Sequence, residues 1–260
     1  MTALQEREFL ILKQIMNLLD ANHIEYCLAY GSVLGAIRHK GFIPWDDDVD
    51  IFVKAKDYEK IRELYRSTDT GTIQFHDYKT VKGYPYVFPK VVDTATELRE
   101  CAYDHLDYMC GVYVDIFPVF EVSDNAVAYW LDEKRTYLQY GLVKFYYQKE
   151  SANKAVAFLE RAVKKVINVD RAQEKLFHRY TASKITGSRL KEPNVFSKEQ
   201  LIKKEYFKAY TDVVFEDIVA PVFEDYDGYL TDTYGDYMTP PPRNQQVSVH
   251  NFSHMVLKKG

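Results

Sequence analysis

Four aspartates crowd the segment W-D-D-D-V-D at positions 45–50. Asp48 and Asp50 stand two apart, in a run where Val49, Ile51 and Val53 alternate with Asp48, Asp50 and Phe52. That alternation is the signature of a β-strand, and side chains two apart on a strand project to one face, roughly 6.5–7 Å from each other along the chain. Two carboxylates held together repel unless a cation neutralises them. Mg²⁺, or Mn²⁺ in its place, matches the demand, because it takes hard oxygen ligands and only one or two carboxylates, with substrate phosphate and water filling the remaining positions. The competing explanation is a solvated acidic turn feeding an edge strand. A calcium-binding EF-hand fails: counting from Asp46, Ile51 occupies the position that needs glycine, and Asp57 replaces the bidentate glutamate. Asp46 and Asp47 are expected to support the pair through hydrogen bonds.

The elements around the acids suggest a partner for such an ion. Residues 24–30 read as a short buried strand ending at Gly31-Ser32, and Ser32 is positioned to cap a helix running to about His39. A strand, a Gly-Ser pair and a helix N-terminus place backbone N–H groups where phosphate is favoured. Arg38, His39 and Lys40 add positive charge, Arg38 being suited to bidentate phosphate contact.

Ahead of this unit, Leu12, Ile15, Met16 and Leu19 recur at helical spacing and predict an amphipathic helix. After it, Asp57 can cap a helix carrying Tyr58, Ile61, Leu64 and Tyr65, and two or three strands are expected across residues 72–96. Residues 111–117 form a further strand, expected to stop at Pro118, with Asp115 its lone acid. From Ser123 the pattern turns helical: Val127, Trp130, Leu131, Leu138 and Leu142 recur, then Val156, Leu159, Val163, Val166 and Ile167. Short strands across residues 213–222 and a helix over residues 225–234, ended by Gly235, complete the pattern, and the last residues are expected to be loose. Three regions result: a core over residues 1–122, a helical lobe over 123–206, and a C-terminal segment over 207–260 packing back on the core.

Composition narrows the function. The chain has 260 residues, 47% hydrophobic and 28% charged, with a formal net charge of −4. It is an ordinary globular composition with no broad basic face, so no nucleic-acid partner is expected. No apolar run approaches the roughly 18 residues that span a bilayer, and no signal-peptide layout opens the chain, so a cytoplasmic location is expected. Cys27, Cys101 and Cys110 offer no paired motif and read as free core thiols. His250 and His254 lack the acid of a zinc-protease helix, so no zinc is assigned; His250 is expected to approach the acids.

Residues 29–51, A-Y-G-S-V-L-G-A-I-R-H-K-G-F-I-P-W-D-D-D-V-D-I, resemble the signature of the LicD family of phosphocholine and sugar-phosphate transferases, part of the nucleotidyltransferase superfamily. The resemblance extends to V-D-I-F-P at 114–118 and Y-G-D-Y-M at 234–238. It implies an α+β fold: a polymerase-β-like nucleotidyltransferase core, a mixed sheet flanked by helices, with a helical lobe. It implies that Gly31 and Ser32 are the phosphate-loop pair, that Asp48 and Asp50 bind metal, and that Asp115 is the third carboxylate on a neighbouring strand. An acid amid Val, Ile and Phe is costly without a cation nearby. Lys90 becomes a candidate donor-phosphate contact, a snorkelling lysine being the alternative.

The resemblance further implies a CDP-linked alcohol donor, CDP-choline by preference, and a hydroxyl on a cell-surface glycan precursor as acceptor, such as a teichoic-acid or lipopolysaccharide sugar. A lipid-linked acceptor would bring peripheral association with the inner membrane face. A quaternary ammonium is held best by aromatic faces, which makes Trp45, Tyr84 and Tyr86 candidates for a choline box. Two rival reactions could use the same metal site: nucleotidyl transfer with release of pyrophosphate, and, less favoured, glycosyl transfer through an Asp-x-Asp motif.

Overall fold

The computed structural model describes residues 1–182, 185–194, 200–248 and 250–257. Helix α1 (Ala3–Ala21) starts at a capping box in which Gln5 N–H donates to Thr2 Oγ1 and the Gln5 side chain accepts from Thr2 N–H. The same Gln5 amide donates to the carbonyls of Ile43 and Asp46, at 3.2 and 2.9 Å. One N-terminal cap therefore also ties down the loop that carries the acids. The stripe of Ile11, Leu12, Ile15 and Leu19 is buried, which anchors that helix to the sheet.

The sheet runs in the order β1 (Tyr26–Leu28), β2 (Asp50–Lys54), β5 (Cys110–Val122), β4 (Lys90–Glu100), β10 (Phe252–Val256). Strands β2 and β5 are parallel and the other pairs antiparallel. β3 (Ile73–His76) also pairs with β4, while β6 (Arg189–Lys191) extends the far end of β5 and carries β7 (Ile202–Lys203). Helices α2 (Tyr30–His39) and α3 (Tyr58–Ser67) connect the early strands. α4 (Ala126–Tyr147), α5 (Lys154–Lys164) and α6 (Val169–Thr181) follow β5, and a β8 (Tyr210–Phe215) and β9 (Ile218–Phe223) hairpin precedes α7 (Tyr226–Tyr234). A mixed sheet with helices around it is an α+β architecture.

Three expectations are corrected. β5 does not stop at Pro118 but continues to Val122. Asp115 N–H donates toward β2, to Val49 O, and Ile116 N–H donates the other way, to Pro89 O. By that alternation the imino nitrogen of Pro118 faces the side where the pairing with β4 has ended and the pairing with β6, which begins opposite Phe120, has not started, so no ladder bond is lost. Residues 252–256 near the C-terminus are not loose: β10 pairs with residues 97–100 of β4, while the last three positions of that expectation lie outside the described residues. Of the cysteines, Cys27 and Cys110 are buried but Cys101 is exposed.

Candidate functional site

Register brings the acids together. In the parallel β2–β5 pair Asp50 lies opposite Asp115, and Asp48 sits two residues upstream, just before β2 begins. The expected strand thus starts at Asp50 rather than Asp48, yet carboxylate oxygens of Asp48, Asp50 and Asp115 all fall within 4.8 Å of one another. Asp50 and Asp115 are buried, at 8% and 4% exposure. The backbone fixes them: Asp115 N–H donates to Val49 O at 2.9 Å, and Ala29 N–H to Asp50 O at 2.9 Å.

The charges are not balanced by the protein alone. Lys90 Nζ, itself 2% exposed, donates to Asp115 Oδ1 at 2.6 Å. Asp50 Oδ1 is buried without a hydrogen-bond partner among the described residues. Burial, then the charge of Asp46, pushes Asp48 up to about 7. Burial also raises Asp115 to about 6 against the pull of Lys90, and burial followed by the charges of Asp48 and Asp115 raises Asp50. A buried, unpartnered carboxylate oxygen within a cluster of hard oxygen donors is what a divalent cation would satisfy. Glu8 of α1 adds a further buried carboxylate, with Oε2 unpartnered among the described residues and its pKa raised by burial and then by Asp48. No motif in the sequence marks Glu8, which lies one turn ahead of the Leu12–Leu19 stripe.

Helix α2 begins immediately beside the acids. Its N-cap is Ala29, without a side-chain cap, which corrects the expected cap at Ser32. Ser32 lies inside the first turn, buried, and its Oγ accepts the Asp50 N–H at 2.9 Å, tying the helix start to β2. A Cβ on Gly31 would stand 2.8 Å from Asp46 Oδ2, so glycine lets that carboxylate lie against the helix. Tyr30 adopts φ 42°, a conformation a bulky residue rarely holds, and its N–H donates to the Tyr229 hydroxyl at 3.2 Å.

Arg38, His39 and Lys40 are at the other end of α2, about 10 Å or more along its axis from Gly31. Arg38 donates to Tyr237 O at 2.7 Å and to His39 Nε2 at 2.9 Å, and the His39 ring meets Trp45 edge-on at 5.9 Å. Lys40 is exposed, in the left-handed conformation that ends the helix, and its carbonyl accepts from Glu216 N–H. These three residues therefore form a second group that anchors the C-terminal Tyr237 and the β8–β9 turn.

Tyr84 and Tyr86 do not form an open box. Tyr84 is wholly buried with its hydroxyl donating to Phe88 O, and Tyr86 donates to Glu100. The Lys90 ammonium lies over the rings of Tyr86 and Tyr113, at 4.3 and 3.4 Å. Lys90 is thus neither a snorkelling lysine nor exposed to a donor; it is a caged counter-charge to Asp115. Trp45 alone of the three candidates is half-exposed.

Two further groups complete the surroundings. His250 does approach: Nδ1 bonds Asp47 Oδ1 at 3.0 Å and lies 3.8 Å from Asp48 Oδ2, while Ser248 also donates to Asp47. The bond to Asp47 raises His250 to about 9, and Asp47, Asp48 and His250 make a second set of potential ligands. Beside Tyr30 opens a cavity of about 420 Å³ whose walls include Glu192, Tyr206, Tyr229 and Tyr234. Glu192 is 4% exposed, raised to about 7 by burial, and accepts from Asn194 N–H at 2.7 Å. Its sequence surroundings carry no motif, so nothing short of tertiary structure could have found it.

Residues 23–149 match the sequence model of the family described as LicD/FKTN/FKRP, nucleotidyltransferase domain. The chain is 28% identical over 257 residues, covering 90% of itself and 92% of the relative, to the lipopolysaccharide cholinephosphotransferase LicD of Haemophilus influenzae. It is 36% identical over 126 residues to the human ribitol 5-phosphate transferase FKRP, a likeness spanning 47% of this chain and 22% of that protein. Among the described residues, no helix is long and apolar enough to cross a membrane.

Proposed function

Because residues 23–149 are a LicD-family domain, we propose that this chain is a phosphotransferase with a polymerase-β-like core, moving an alcohol phosphate from a CDP-linked donor to a hydroxyl of a glycan precursor with release of CMP. The observation that carries the reading is the convergence of carboxylate oxygens of Asp48, Asp50 and Asp115 within 4.8 Å, with one buried oxygen of Asp50 unpartnered among the described residues. These three residues would hold Mg²⁺ or Mn²⁺. Bound there, the ion would neutralise the donor diphosphate and the charge that builds up during in-line displacement. The chain's own residues supply the rest. At the start of α2, Gly31 would offer its backbone N–H to phosphate, since the Tyr30 N–H is taken by the Tyr229 hydroxyl and the Ser32 N–H by Ala29 O. Lys90 fixes Asp115 through Oδ1, leaving its second oxygen to take the proton of the acceptor hydroxyl.

Choline is the proposed alcohol. The relative that aligns along most of this chain is named a cholinephosphotransferase, and the cavity beside Tyr30 combines phenol rings with the buried carboxylate of Glu192. Rings and an anion are the chemistry that holds a quaternary ammonium. The experiment is to incubate the purified chain and Mg²⁺ with CDP-choline, CDP-ribitol, CTP and nucleotide-sugars, then identify the released nucleotide. CMP from CDP-choline is expected, with the KM for that donor raised about tenfold in Glu192→Gln, the size of a lost cation contact. Pyrophosphate from CTP, or a nucleoside diphosphate from a nucleotide-sugar, would replace this reading with nucleotidyl or glycosyl transfer.

A further inference from the structure

Helix α4 is apolar on two opposite sides. Its inward side buries Tyr129, Thr136, Val143 and Tyr147. At roughly 100° per residue, Val127, Trp130, Leu131 and Leu138 fall on the far side, and each is at least 43% exposed. The next helix repeats the feature more strongly: α5 buries only Ala157, while Val156, Leu159 and Val163, at i, i+3 and i+7, stand between 43% and 63% exposed, and Phe158 reaches 70%. A solvent-facing helix normally turns such a stripe inward. Two consecutive helices that do not do so, among the described residues, call for something to cover them.

The charge around the stripes indicates what covers them. Lys134 and Arg135 flank the outer side of α4, and Lys154, Arg161, Lys164 and Lys165 accompany α5 against Glu160 and Glu150, the latter paired with Arg161, in a chain whose net charge is −4. Between α4 and α6 runs a groove of about 710 Å³ lined by Arg135, Arg171, Lys175 and His178. Of its two acids, Asp132 and Glu174, the first is paired with Arg179. Cores of protein interfaces are depleted of lysine, so a second copy of the chain fits this surface poorly. Apolar side chains, a tryptophan and a lysine-rich border are the composition of helices that lie in a membrane interface.

We propose that the outer face of α4 and α5 seats on an anionic lipid bilayer, its apolar side chains entering the headgroup boundary and its cations meeting lipid phosphates. The surface is separate from the acid cluster and does not depend on the transfer reaction. The test is flotation of the full chain with vesicles of phosphatidylcholine alone and vesicles that also contain phosphatidylglycerol. Binding to the anionic vesicles is expected, weakened by salt. Phe158→Ser with Leu159→Ser should lower it on the order of tenfold or more. Lys154→Gln with Lys165→Gln, which touches no apolar contact, should lower it on the order of tenfold. Wild-type chain that stays unbound with both vesicles overturns the proposal, as does unchanged binding of both double variants. A wild-type dimer that the serine variant converts to monomer, without vesicle binding, would show instead that a second copy covers the face.

Discussion

Two lysines are buried to nearly the same degree and behave in opposite ways. Lys90 is 2% exposed and bonded to Asp115; Lys191 is 0% exposed and bonded to Glu133. Burial pulls both ammonium groups down. At Lys90 the surrounding anions, Asp115 first, outweigh burial and raise it above its ordinary value. At Lys191 burial prevails over Glu133 and the group is lowered. A buried ion pair by itself is therefore a poor marker of function. What distinguishes the Lys90 site is surplus: Asp48, Asp50 and Asp115 gather around one buried lysine, with His250 shared between Asp47 and the edge of Asp48, and Asp50 Oδ1 has no partner among the described residues.

Removing each lysine should break or sharpen that contrast. Lys90→Met strands the buried carboxylate of Asp115 and should cost about 3–5 kcal/mol of stability, and Lys191→Met strands the half-buried Glu133 and should cost less. Among the described residues, only the first site brings three carboxylates close enough to offer a divalent ion a place. Thermal melts should show Mg²⁺ restoring a large part of the loss in Lys90→Met and none in Lys191→Met; equal responses would mean that the surplus at Lys90 does not bind a cation.

A smaller effect follows from proton linkage. Asp48 and Asp115, raised to about 7 and about 6, hold protons more tightly folded than unfolded. From the ordinary carboxylate range up to about pH 7 the unfolded metal-free chain binds fewer protons, so stability falls as pH rises through that window. His250, raised to about 9, acts in the same direction: its contribution is complete below its ordinary value and is lost as pH rises through about 9. Asp47, lowered with His250 and Ser248 as its hydrogen-bond partners, works oppositely, its contribution lost only as pH falls into the acid range. Chelator-treated protein should melt several degrees lower at about pH 7.5 than at about pH 5, with Mg²⁺ recovering more at the higher pH. A flat profile would show that the acids are compensated by something other than a metal.

The acid pair was legible because strand alternation is local, and the parallel neighbour carrying Asp115 was legible through its motif. Asp48 and Ser32 were slightly misread in place, since Asp48 precedes the strand and Ser32 serves the Asp50 backbone instead of capping the helix. Residues whose meaning depends on long-range packing were not legible. Tyr84 and Tyr86 are choline-box candidates in the sequence, but Tyr86 lies under the Lys90 ammonium and Tyr84 packs against Tyr86, and Glu8, Tyr30 and Glu192 gain interest only from what folds against them. Pro118 misled because its effect on a strand depends on which neighbour faces its nitrogen. The tail misled because β10 finds its partner some 150 residues upstream, beyond any local pattern.

The most direct test is cation binding itself, measured by calorimetric titration of Mn²⁺ into metal-free wild type and Asp50→Asn, with circular dichroism to confirm that both are folded. Saturable binding by the wild type, weakened at least about tenfold in the variant and accompanied by a loss of transfer on the order of 10²–10³-fold, is the expected result. Matching isotherms for the two proteins, or a folded Asp50→Asn that retains near-normal transfer, would contradict the placement of a metal at these acids.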